Sequence, residues 1–345
     1  MKTGKTIWRL CAFAFAAFVA LGTYIAPAKE YDVYVAGYEY IEDRIVAKLW
    51  KNGKVQDLPS GTNRAFAYSV YVSGDDVYVA GSSEDNMGMS IAKLWKNGTA
   101  QDLTDGTNRA RAHSIFVSGD DVYVAGNEYI EGKYVAKLWK NGKAQGLSDG
   151  TNNAYAQSVF VFGNNVYVAG NEENGSYMSV AKLWKNGVAQ ELTDGINEAS
   201  TYSVFISDSD VYVAGDEYME GKYVAKLWKN GKAQDLSDGT DDAYAHSVFV
   251  SGNDVYIAGF EDIGKMSIAK LWKNGKVQEL ATDGAYHAGA SSVYVLGADV
   301  FVAGFEINEY KHVARLWKNG KAQDLSDGSN NAQALSVFVV LRNQE

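Results

Sequence analysis

One cysteine, Cys11, and two prolines, Pro27 and Pro59, are all that the 345 residues hold of either type. A lone thiol excludes a disulfide framework and any Cys-rich zinc site. So little proline excludes Pro-rich linkers. Histidine is also scarce: His113, His246, His287 and His312 stand far apart, with no His-x-His or His-x-x-x-His pair to hold a transition metal. Basic residues are outnumbered, with 32 Lys and Arg against 42 Asp and Glu and a net charge of −10. Such a surface repels phosphate backbones and anionic lipid heads, so nucleic acid is not an expected partner. Gly-rich phosphate loops, Gly-x-Ser-x-Gly and His-Glu-x-x-His do not occur. The Asp-Gly turns, such as Asp105-Gly106 and Asp149-Gly150, lack the spacing of a calcium loop. Neither a cofactor nor a metal is expected.

What is present begins with a leader. Lys2, Lys5 and Arg9 precede the apolar run LCAFAFAAFVALGTYIA and the small-residue site Ala26-Pro27-Ala28. That order reads as a secretory signal peptide over residues 1–28, with export to the periplasm, cell surface or medium. The alternative is a retained anchor, because the run is borderline for spanning a bilayer. Cleavage would remove Cys11 and three basic residues, leaving 29 basic side chains against 42 acidic ones. Residues 29–345 would then be one monomeric domain without membrane insertion.

That domain spells one unit seven times. Trp50, Trp95, Trp139, Trp184, Trp228, Trp272 and Trp317 follow one another at spacings of 44 or 45 residues. A fixed period of this length marks a repeat architecture. In the third copy the unit reads HSIFVSGD, DVYVAGNE, YVAKLWKNG and KAQGL. Each segment is short, β-branched and aromatic, and bounded by Gly, Asn or Asp, which predicts four strands. The recurrent Asn-Gly pairs, Asn52-Gly53 onward, predict two-residue hairpins. Four antiparallel strands per unit and seven units predict an all-β, seven-bladed β-propeller. The chain begins on a second strand, Asp32–Val35, and ends on a first, Leu335–Val339. Pairing the two would complete one blade and hide both sheet edges.

Strict antiparallel order puts the segment leading into strand one and the loop after strand two on one face. There the copies differ; on the other face Lys-Asn-Gly recurs unchanged. The expected ligand-facing residues are Phe66, Tyr68, Arg111, His113, Tyr155, Tyr202, Tyr244, His246, Tyr286 and His287. Drift of exposed loops is the competing explanation. A serine recurs in every first strand, from Ser69 to Ser336. Seven identical serines with four histidines point to a hydroxyl bonding backbone between blades, not to nucleophiles.

An acid recurs at the end of strand two: Glu39, Glu84, Glu128, Glu172, Glu217, Glu261 and Glu306. It either serves the scaffold or forms a carboxylate ring for cations or sugar hydroxyls. Counting back from the hairpin sets Glu128 opposite Arg111. The cation before each Leu-Trp pair, from Lys48 to Arg315, faces an acid of strand four in six of seven copies.

The repeated VYVAG-x-E and AKLWKNG segments resemble secreted bacterial seven-bladed propellers built of the same tandem unit. The motifs of the WD40, kelch, Tyr-Trp-Thr-Asp and sialidase classes are missing, so no site residues carry over from them. The resemblance implies a fold and brings no activity with it. The expectation is a non-catalytic, lectin-like binding propeller taking carbohydrate or protein around its channel. The alternatives are a polysaccharide-active enzyme with acids at the channel mouth, and a pure scaffold.

Overall fold

The computed structural model describes residues 30–61, 64–280, 285–308 and 310–342; the expected leader, residues 1–28, lies outside the described residues. The chain is all β, from β1 (Tyr31–Ile41) to β28 (Ala332–Leu341). Each copy forms a four-stranded antiparallel meander, as in Ala110–Ser118, Asp121–Ile130, Lys133–Lys140 and Lys143–Gly146. All seven Asn-Gly pairs take positive φ at both residues, for example 51° at Asn141 and 78° at Gly142. Type I′ geometry of this kind matches the twist of the flanking strands.

Burial explains why the segments differ in composition. The second strand is buried on both faces through VYVAG, because neighbouring sheets cover it. The fourth strand is wholly exposed and reads KAQG or KAQD. The core lies between sheets: Tyr78, Ala80 and Leu94 of one copy pack with Ile115, Val124 and Trp139 of the next. The seven repeated tryptophans are at most 1% exposed, and truncating one costs about 3–5 kcal/mol. Val33, Val35 and Trp50 from the chain's start pack with Val337 and Val339 from its end. β28 pairs antiparallel with β1 from Tyr31↔Leu341 to Glu39↔Ala332.

A β-bulge breaks the first–second strand pairing of every copy, between Ala112 and Ser114 in the third. The bulge corrects one expected register. Glu128 pairs with Ala110, and Arg111 pairs with Asn127, because the unpaired His113 shifts the count by one. The same bulge explains the glycine of VYVAG. A Cβ on Gly126 would lie 1.9 Å from the Arg111 carbonyl oxygen, so no larger residue fits. The third–fourth strand register is as expected from the sequence, with Lys48↔Asp57, Lys226↔Asp235 and Arg315↔Asp324.

Candidate functional site

The first strands carry two chains of contacts that run from copy to copy. Ser69, Ser114, Ser158, Ser203, Ser247 and Ser292 each accept, through Oγ, the backbone N–H of the next copy's first strand at 3.1–3.3 Å. Ser336 accepts from Val70 N at 3.2 Å, which returns the series to its start. These hydroxyls are spent on backbone donors, so they are structural, as the sequence implied.

One turn of strand away lie Tyr71, Phe116, Phe160, Phe205, Phe249, Tyr294 and Phe338. Their ring centroids are 4.7–4.9 Å apart in succession, and Phe338 meets Tyr71 at 4.7 Å. Centroids so spaced stand about 5.5 Å from a common centre, and subtracting a carbon radius of about 1.8 Å leaves an opening at most about 7 Å wide. Burial pushes the Tyr294 hydroxyl up to about 12. The collar was not among the expected features, although its signal in the sequence is an aromatic at one position in all seven copies.

Toward the variable side the bulged residues Tyr68, His113, Tyr202 and His246 meet the residue after the glycine of VYVAG in their own copies. That position varies inside an otherwise constant motif: Tyr38, Ser82, Asn127, Asn171, Asp216, Phe260 and Phe305. The candidate residues gather in arcs. Phe66 stacks on Tyr68 at 5.8 Å, and Tyr68 meets His113 at 5.6 Å. Tyr202 meets His246 at 5.1 Å, and Phe260 adjoins Tyr244 at 4.8 Å and His246 at 5.3 Å. Tyr155 packs on Tyr134 at 5.2 Å. Arg111 is exposed beside Asn127 in a cavity described below. Tyr286 stands 74% exposed at the head of its strand.

Burial sets the protonation of this layer. It holds His113 neutral, lowered to about 4, with Nε2 2.7 Å from Asn127 Oδ1. His246 is likewise lowered to about 4 by burial. Asp216, 1% exposed, is pushed up to about 7 by burial, with Glu198 adding to the effect and the Tyr202 hydrogen bond opposing it. Its Oδ2 has no hydrogen-bond partner among the described residues.

The acids at the end of strand two are placed otherwise than a ligand-binding ring requires. Glu39, Glu128, Glu172, Glu217 and Glu261 each lie 2.7–3.3 Å from the third-strand lysine of their own copy, and Glu306 lies 2.6 Å from Arg315. Lys48, Lys226 and Lys270 also hold the fourth-strand acid, so one cation bridges two carboxylates. Glu84 is a correction of register. Ser83 pairs with Ile91 as Glu39 pairs with Val46, so Glu84 sits one residue on and meets Arg64 at 3.6 Å instead.

His287 meets a serine that in turn meets a carboxylate, which invites comparison with a catalytic triad. Ser267 Oγ donates to Asp262 Oδ1 at 2.6 Å and lies 3.2 Å from His287 Nδ1, which also accepts the Ser267 backbone N–H at 3.2 Å. The imidazole is therefore not placed between serine and acid, as proton relay requires. Asn153, Asp242 and Asn331 receive the corresponding backbone N–H in other copies, so His287 fills a structural position. The Asp-Gly turns are Asx turns: Asp105 Oδ1 accepts from Thr107 N at 2.9 Å.

No protein-family model matches the chain, and no curated protein matches it. Solved structures do. A puromycin-hydrolyzing peptidase from Mycobacterium tuberculosis is 11% identical with a TM-score of 0.58, over 86% of this chain and 54% of that one. A puromycin hydrolase, as its S511A mutant complexed with PGG, is 10% identical with a TM-score of 0.60, over 86% and 52%. The β-propeller domain of the Trilobed protease from Pyrococcus furiosus, described as having an open velcro topology, is 10% identical with a TM-score of 0.54, over 87% and 95%. The fold is a β-propeller. The chain spans about half the length of the first two of these proteins.

These likenesses correct the functional expectation. The expectation of a lectin-like module for carbohydrate or protein ligands does not agree with them: the solved structures are a puromycin-hydrolyzing peptidase, a puromycin hydrolase and the β-propeller domain of a protease, and at 10–11% identity the likeness is one of fold. The alternative of a polysaccharide-active enzyme with acids at the mouth loses its residues to the Lys and Arg pairs above.

Proposed function

We propose that the chain is a closed, seven-bladed propeller, exported and monomeric, that works beside a peptidase and contributes no catalytic group of its own. The observation that carries this reading is the likeness to a protease's β-propeller domain, a puromycin-hydrolyzing peptidase and a puromycin hydrolase, over 86–87% of this chain. Closure is supported by the Ser336–Val70 bond and the Phe338–Tyr71 contact, which join the last first-strand to the earliest one.

The narrow aromatic collar gives the propeller a physical role. An opening of that width stops a folded protein, so only flexible peptides pass or settle at the mouth. The polarity of the mouth suits peptides as well: Arg109 and Arg111 line one hollow with Glu84, which Arg64 meets, while Asp242 stands opposite Asp262 and shares Tyr223 with Glu198.

Immunodepletion tests the association. Removing this chain from the exported fraction of the cells that make it should co-deplete peptidase activity on a peptide-amide substrate. Unchanged activity after complete depletion contradicts the reading.

A further inference from the structure

A cavity of ≈ 170 Å³ opens between the second and third copies, lined by Glu84, Arg109, Arg111, Asn127 and Tyr134 among others. In a chain of net charge −10 it gathers two exposed guanidinium groups within one small hollow. Its one acid, Glu84, is engaged by Arg64 at 3.6 Å. The floor of the cavity is fixed by hydrogen bonds. Ser90 Oγ donates to Ala110 O at 3.1 Å beneath it, and Asn127, 2% exposed, is fixed through Oδ1 by His113. His113 is neutral and adds no charge. Two guanidinium groups thus face one carboxylate that is itself paired, and Arg109, Arg111 and the Asn127 amide are donors.

A second hollow of ≈ 460 Å³ shares Arg109 and Tyr134 with the first and adds Met89 and Tyr129. Tyr129 and Tyr134 meet at 5.0 Å and wall it with aromatic surface. A small cationic hollow beside a larger one of mixed lining, where Thr107 and Asn108 adjoin the aromatic wall, matches the last residue of a peptide.

We infer that this pair of hollows binds a peptide C-terminus. The carboxylate lies between Arg109 and Arg111, and the final side chain, large and apolar, lies against Met89, Tyr129 and Tyr134. Planar guanidinium groups suit a carboxylate because two parallel N–H donors meet its two oxygens. This inference rests on the proposal that the chain handles peptides, and it names the end of the peptide recognised.

The probe is the tripeptide Ala-Ala-Phe as free acid and as C-terminal amide, measured by calorimetry against residues 29–345. The free acid should bind at least tenfold more tightly than the amide. Arg109→Ala with Arg111→Ala should abolish that preference while leaving the melting temperature unchanged, since both side chains are exposed. Ala-Ala-Ala acid should bind more weakly than Ala-Ala-Phe acid. Equal binding of acid and amide, or a double variant that binds as the parent does, would overturn the inference. So would displacement of the tripeptide by inorganic phosphate at equal concentration, which would mark a phosphate pocket. The two readings fail separately. A preference for the free acid alongside unchanged peptidase activity after depletion removes only the peptidase association; co-depletion alongside equal binding removes only the carboxylate pocket.

Discussion

Val70 donates its backbone N–H to the Oγ of Ser336 across 266 residues of sequence, at 3.2 Å. The other six serines make the same bond to the neighbour that follows them in the chain. A bond between distant residues therefore does the same work as six between adjacent copies.

Ser336→Ala should then cost what Ser158→Ala costs. Each removes one acceptor from a part-buried amide, worth about 1–2 kcal/mol in urea unfolding. Deleting residues 332–345 should do far more, because it strips the partner from β1 and exposes an apolar edge. That variant is expected to aggregate, as read by light scattering. An Ser336→Ala variant without effect, beside a destabilised Ser158→Ala, would separate the two bonds.

Gly126→Ala is expected to destabilise by about 3 kcal/mol or more, since the new methyl group would sit on the Arg111 carbonyl oxygen. Chemical denaturation measures it. Gly142→Ala, whose new Cβ would meet only the Gln101 side chain at an ordinary 3.6 Å, should cost only the backbone strain of positive φ, about 1 kcal/mol.

The fifth copy departs from the others in its first turn. Where the second, third, fourth, sixth and seventh copies have a glycine, from Gly74 to Gly297, it has Asp208 followed by Ser209, at φ of 49° and 75°. Ser209→Gly should relieve left-handed strain and raise stability by about 1 kcal/mol, seen as a higher melting temperature. A fall would show that the serine hydroxyl makes a compensating bond.

Asp216 gives a pH dependence of defined sign. Its carboxyl, about 7 in the fold against an ordinary 3.8, keeps a proton that the unfolded chain has released between those values. Its contribution is fully present below about pH 3.8 and lost as pH rises through 7. Asp216→Asn should therefore match the parent near pH 4 and exceed it at pH 8 by a few kcal/mol. His113 and His246, lowered to about 4, act oppositely: their contribution is present above pH 6.5 and lost as pH falls toward 4. Melting temperatures of parent and variant from pH 4 to 9 check both.

The repeat made the strands and hairpins legible, because the Asn-Gly turns and the period of the tryptophans are local signals. The bulge was not legible. It has no composition of its own, since His113, Tyr68 and Gln157 share only their place before the constant serine. Missing it misplaced Arg111 against Glu128. Glu84 misled for a related reason: an extra residue in the second copy moves its acid off the shared face. Asp216, Asn127 and Phe260 escaped notice because they lie inside a motif whose constancy drew attention to its other residues. The partners of the acids were only half visible. The lysines were matched to strand four in the sequence, but the second carboxylate each one holds emerges only when strands two and three are side by side.

Closure of the ring decides whether there is a mouth at all, and a cysteine pair tests it. Arg342 donates its N–H to Glu30 O at 2.9 Å, so the adjoining pair Tyr31↔Leu341 is a non-hydrogen-bonded one, where side chains come closest. Residues 29–345 contain no cysteine, so Tyr31→Cys with Leu341→Cys leaves a single possible disulfide. Mild oxidation of the monomer is expected to form it quantitatively, with unfolding shifted to higher denaturant and reversed by reductant. Free thiols after oxidation, or disulfide-linked dimers only, would mean that the ends of the chain do not meet.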